Sequence, residues 1–160
     1  VATPTRLILA AALALGAASA FATNYRQPGF SEAAVLSGLV HPTAVRFLPD
    51  GRVLVAEKSG LLKVFESLAD ETPTIAADLR TQVHNFWDRG LLGLAVDPAF
   101  AENGFLYVLY THDAFIGGTA PLWGPGDGTS DPCPTPPGAA TDGCVVSGRL
   151  SRLHASGADW

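Results

Sequence analysis

Two stretches of this chain repeat the same order of short apolar runs and turns, and that repetition restricts the fold more than any other feature. In the first, the runs 43–48, 52–57 and 61–65 are separated by Pro49-Asp50-Gly51 and Lys58-Ser59-Gly60. Asp-Gly and Ser-Gly between apolar runs mark hairpin turns, because those positions need a positive φ. A further run, 75–78, predicts a fourth strand and hence an antiparallel meander. In the second stretch, 92–96 followed by Asp97-Pro98 echoes the first run, 104–108 echoes 51–55, and 148–153 echoes 60–65. Residues 30–38 read as an additional extended segment. Nothing after the N-terminal region has the period of an amphipathic helix.

Several strands per unit and a period of roughly 50 residues predict an all-β chain of β-propeller blades. A small sandwich or barrel with similar hairpins is the competing architecture. The run 105–110 is apolar on both alternating faces, as a strand needs when its sheet is sandwiched between two neighbours. Two blades do not close a ring. The expectation is therefore the first two blades of a longer protein, with the face formed by Leu106, Val108 and Tyr110 exposed in an isolated piece. Between the second and third strands of the second unit lies an insertion, 113–147, dense in Gly, Pro, Thr and Asp.

Residues 1–22 carry the plan of a secretory signal. Arg6 is followed by an Ala/Leu run over 7–18 and by two small-residue frames, Ala18-Ser19-Ala20 and Ala20-Phe21-Ala22. The run is short for a membrane span. Cleavage after Ala22 would leave 23–160 as the start of a propeller domain in the periplasm or the medium, with no membrane attachment. The chain has 10 basic and 15 acidic residues, a formal charge of −5. That balance argues against a nucleic-acid partner, which needs a positive field. Cys133 and Cys144 are the two cysteines. In an oxidising compartment they predict a local disulfide, since their spacing fits neither a C-x-x-C redox pair nor a zinc knuckle.

The most distinctive stretch is Arg89-Gly90-Leu91-Leu92-Gly93-Leu94-Ala95-Val96-Asp97-Pro98-Ala99-Phe100, continuing through Asn103-Gly104-Phe105-Leu106-Tyr107-Val108. It resembles a signature segment of the glucose/sorbosone dehydrogenase family, the soluble PQQ-dependent sugar dehydrogenases. His41-Pro42-Thr43-Ala44, Pro49-Asp50-Gly51 and Val55-Ala56-Glu57 look like that family's first blade, and the resemblance extends over about 30–159, interrupted by the insertion around the cysteines. It implies a six-bladed propeller that oxidises an aldose or other polyol. PQQ would accept the hydride, calcium would hold PQQ, and a separate electron acceptor would follow. The family's general-base His falls in a motif after the second blade's third strand, so no catalytic residue is expected within this chain. Most calcium ligands and PQQ-contacting cations are likewise expected in later blades. Where the glucose dehydrogenases carry a Gln-like residue near the cofactor, and related members an acid, this chain has Asp88. Asp88 and Arg89 are thus the cofactor-binding candidates, with an Asp88–Arg89 turn pair as the structural alternative. A non-catalytic propeller that binds carbohydrate or protein is the rival function.

Other residues read more plainly. His84 is expected at the surface rather than as a base, and Phe86 and Trp87 to cap the core rather than stack on a sugar. His41, His112 and His154 lack any zinc-hydrolase spacing. Asp127, Asp131 and Asp142 lie in a Gly-rich loop but lack the order of a calcium loop. No Gly-x-Gly-x-x-Gly opens a helix, and Ser37, Ser59 and Ser147 sit in no nucleophile elbow.

Overall fold

The computed structural model describes residues 29–133 and 144–156. The predicted signal at 1–22 and Asp142 lie outside these. Residues 29–34 belong to a separate small unit, distinct from the one that holds the sheets, and their described part is exposed and irregular.

Among the described residues, seven strands form two antiparallel sheets. The first has the order β1 (Pro42–Phe47), β2 (Val53–Glu57), β3 (Leu61–Phe65), β4 (Thr74–Asp78). The second has β5 (Leu91–Val96), β6 (Phe105–His112) and β7 (Ser147–His154). Each sheet is a meander in chain order, as the two predicted blades require. Gly51 and Gly60 take positive φ in the two predicted hairpin turns. The one helix among the described residues, α1 (Phe100–Asn103), is a single turn between β5 and β6. Residues 30–38, read as an extended segment, join neither sheet. Leu36 and Leu39 instead pack on Val53, Val55 and Phe65, on one face of the first sheet.

The opposite face of the first sheet meets the second sheet in a shared core. Leu54, Ala56, Leu62 and Val64 pack with Leu91, Leu94, Leu106, Val108 and Tyr110. Deleting one such leucine side chain costs about 2–5 kcal/mol. This burial corrects the expected exposure of Leu106, Val108 and Tyr110, because those residues face the first blade. The uncovered apolar side chain of β6 is Leu109, 51% exposed on the opposite face.

Polar bonds fix the relative position of the two inner strands, β1 and β5. Thr43 donates its hydroxyl to the Leu91 carbonyl at 2.7 Å, and the Leu91 amide donates to Lys58 O at 2.9 Å. The linker from β4 to β5 is held in the same way, with Leu79 N bonded to Gly60 O and His84 N to Thr111 O, both at 2.9 Å. One end of the paired blades therefore gathers the residues before β1, the β2–β3 turn, the β4–β5 linker and the described parts of the insertion, 113–133 and 144–146.

Candidate functional site

That gathered end carries the strained backbone of the molecule. His41 and Trp87 have φ of 46° and 49°, and among the described residues they are the non-glycine positions with positive φ. Conformations of this kind cost on the order of 1–3 kcal/mol each and persist where surrounding structure enforces them. Both residues line one open cavity of about 610 Å³, together with Lys58, Asn85, Thr129 and Ser130. Trp87 is 82% exposed, so it does not cap the core as the sequence suggested. Its indole stands at the cavity, tilted against the Phe86 ring with centroids 5.9 Å apart.

Lys58 supplies the cavity's cation. Its ammonium donates to Asn85 Oδ1, burial lowers its pKa, and the charges of Asp88 and Asp131 partly restore it. Asn85 also ties the insertion down. Its amide donates to Gly128 O at 2.8 Å, its backbone N–H to Asp131 Oδ2 at 3.2 Å, and its carbonyl accepts from Asp131 N at 3.1 Å. Asp131 is buried, and that burial raises its pKa. Asp127, the other described member of the suggested calcium loop, accepts from Thr129 within its own turn.

Asp88 and Arg89 do not act together. Asp88 is exposed and faces Lys58 electrostatically. Arg89 turns away and donates to Cys144 O at 3.2 Å, with Cys133 Sγ at 3.7 Å. Cys133 and Cys144 are joined in the predicted disulfide.

His84 departs furthest from expectation. It is fully buried rather than a surface histidine, and neither ring nitrogen has a hydrogen-bond partner. Leaving such a group unsatisfied costs about 1–3 kcal/mol. Burial, reinforced by the positive charges of Arg89 and Lys58, pushes its pKa down to about 4. Two neighbours in the fold are also buried and polar. His112 shares a hydrogen bond with Gln82 O at 3.2 Å through Nδ1. Burial pushes the Asp113 carboxyl up to about 6, although Trp123 N donates to both its oxygens at 3.2 Å. His154 lies on the last strand, with its ring edge-on to Phe105, and His41 is exposed at the cavity. Lys58 and Asn85 carried no motif that would have singled them out.

Chemically, this end offers an exposed indole, an amine, an exposed carboxylate and polar loop groups around one cavity. The comparisons with known proteins agree with its sequence signature. The family described as Glucose / Sorbosone dehydrogenase matches residues 39–121. An uncharacterized protein of Synechocystis is 33% identical over 92 residues, covering 54% of this chain and 22% of that protein. A crystal structure from Thermus thermophilus, put forward as an oxidoreductase of glucose dehydrogenase type, is 26% identical with a TM-score of 0.53. That alignment covers 78% of this chain and 28% of that one. A PQQ-bound aldose sugar dehydrogenase from Streptomyces coelicolor is 23% identical with a TM-score of 0.47, over 52% of this chain and 25% of that one. The chain thus spans about a quarter of the length of these relatives. With the family match running from the segment before β1 through both inner strands and into the insertion, this all-β chain of two propeller blades belongs to the glucose/sorbosone dehydrogenase family.

Proposed function

We propose that this chain is the N-terminal part of an exported, PQQ-dependent dehydrogenase that oxidises a sugar hydroxyl. The observation that carries the reading is the family-matched Asp88-Arg89-Gly90 at the start of β5, beside the cavity lined by His41, Lys58 and Trp87. Export rests on the signal pattern of residues 1–22, and the Cys133–Cys144 bond is consistent with an oxidising compartment.

PQQ is a flat, polycarboxylate quinone, and the groups present suit it. The exposed Trp87 indole offers a stacking surface, and the Lys58 ammonium a partner for a carboxylate. Bound PQQ would supply the hydride acceptor. Asn85 holds the Lys58 amine in position, and Asp88 can accept a hydrogen bond from a sugar hydroxyl. Calcium requires six to eight oxygen ligands. Among the described residues no three carboxylates converge, so those ligands would come from the rest of the protein. The same holds for the general base and for the surface that meets an electron acceptor.

The test is sugar-dependent dye reduction by the full-length protein supplied with PQQ and calcium, across a panel of aldoses. PQQ binding, followed by Trp quenching, should weaken in Trp87→Ala. Absence of both PQQ binding and dye reduction would refute the proposal. Saturable sugar binding without dye reduction would instead favour the binding-module alternative.

A further inference from the structure

We propose that His84, Cys133 and Cys144 form a redox-gated site for a zinc-class cation, closed while the disulfide is intact and opened by its reduction. The three residues come from separate places, His84 from the β4–β5 linker and the two cysteines from within the insertion. Yet their ligand atoms all lie within 4.8 Å of one another. This proposal does not depend on the sugar dehydrogenase reading.

The second observation is the state of His84. A fully buried imidazole with both nitrogens unpartnered is rare in folded proteins, where buried polar groups almost always find a partner. Close to that ring lie the two sulfurs, which carry protons an imidazole lone pair can share once the disulfide is reduced. Arg89 adds a third observation, because its guanidinium lies 3.7 Å from Cys133 Sγ. A cation at that distance favours thiolate over thiol. Cys144 is buried as well, so the site is largely dry.

The donor set selects the metal. Two thiolates and one imidazole match the three-protein-ligand arrangement that zinc accepts with a fourth position left for water. Calcium and magnesium require oxygen ligands, which these three side chains do not offer. Reduction by an external dithiol breaks the S–S bond, delivers two electrons and two protons to give two thiols, and leaves the reductant as a disulfide. Binding of the cation then displaces the two thiol protons, and His84 contributes its lone pair. One cross-link replaces another, so the two arms of the insertion that carry the cysteines remain joined in either state.

The experiment uses the full-length protein, oxidised or reduced with a phosphine, which leaves as its oxide with an oxygen taken from water. Zn²⁺ is titrated against a chromophoric chelator. Co²⁺ serves as the spectroscopic probe, since thiolate ligation produces sulfur-to-cobalt charge-transfer absorption. The reduced protein should take up one equivalent of Zn²⁺ and the oxidised protein none. Loss of a direct ligand in His84→Ala should weaken binding by more than the roughly 10- to 100-fold that loss of an outer-shell partner costs. His84→Cys, which restores a ligand at the same position, should recover stoichiometric binding and guards against misreading a folding defect in the alanine variant. The proposal is overturned if the reduced protein takes up no stoichiometric Zn²⁺, or if His84→Ala binds as tightly as the parent.

Discussion

Two buried groups at the functional end should titrate with opposite effects on stability, and single substitutions can separate them. His84 has an ordinary pKa of 6.5 that burial lowers to about 4. Asp113 has an ordinary value of 3.8 that burial raises to about 6. As pH falls below 6.5 the unfolded chain protonates His84 while the folded one resists until about 4. His84 therefore makes stability rise with pH across that window. Asp113 does the reverse, because the folded protein keeps its proton up to about 6 and the unfolded chain releases it near 3.8. Stability from this group is fully present below 3.8 and is lost as pH rises to about 6. Each group contributes a slope of at most about 1.4 kcal/mol per pH unit. The charges that face them are Arg89 and Lys58 for His84, and Asp131 and His112 for Asp113. Asp131, also raised by burial, acts in the same direction as Asp113. Asp50, Asp78 and Asp97 are held low by Arg52, Arg80 and Asn103, so they act below this window. In the parent protein the opposing slopes offset one another between about pH 4 and 6. His84→Asn should make stability fall more steeply with rising pH than in the parent, and Asp113→Asn should shift the slope toward rising, with Asp131 still opposing His84. Urea midpoints of the oxidised full-length protein at a series of pH values measure both. Parallel pH profiles for the parent and the two variants would refute the assignment.

Four substitutions test the packing that holds the site. Lys63 bonds Glu57 at 2.6 Å, and Glu57 also accepts from Val40 N at 2.8 Å while almost wholly buried. Lys63→Met should cost about 3–5 kcal/mol by stranding that carboxylate, whereas pairing it with Glu57→Leu should recover much of the loss in denaturation midpoints. Gly90→Ala would set a Cβ 2.6 Å from both Lys58 O and Lys58 Cγ at a φ of +151°, and unfolding curves should show a loss of about 1–3 kcal/mol. Thr43→Val removes the hydroxyl that bonds Leu91 O between the sheets and should lower stability by about 1 kcal/mol in the same assay.

The strands were legible because local chemistry and tertiary placement agree in them. Asp50-Gly51 and Ser59-Gly60 turn where their backbone freedom is needed, and the apolar runs on either side become β1, β2 and β3. The segment 30–38 was legible as extended chain but not in its placement: Leu36 within it, and Leu39 just beyond it, cover one face of the first sheet without joining its ladder. Strand β6 shows what alternation cannot settle. With Phe105, Tyr107 and Leu109 on one side and Leu106, Val108 and Tyr110 on the other, both faces read as core. Only the neighbouring blade decides that the second set is covered, by Leu54, Leu62 and Val64 among others.

The site was far less legible, and the reason is the insertion. No local pattern marks His84 as buried, because its surroundings are assembled from residues far along the chain. Asp131 and Gly128 fasten to Asn85 across separations of 46 and 43 residues, and Arg89 reaches Cys144 across 55. A loop that reads as mere Gly/Pro filler thus folds back on the β4–β5 linker and changes the chemistry of three of its residues. It joins the set that shuts His84 away from water, draws Arg89 to the disulfide rather than to Asp88, and leaves Trp87 outward at a positive φ. The family signature located Asp88-Arg89-Gly90 correctly at the start of an inner strand. What the Arg89 side chain does there is decided by the part of the insertion around the disulfide, to which it bonds.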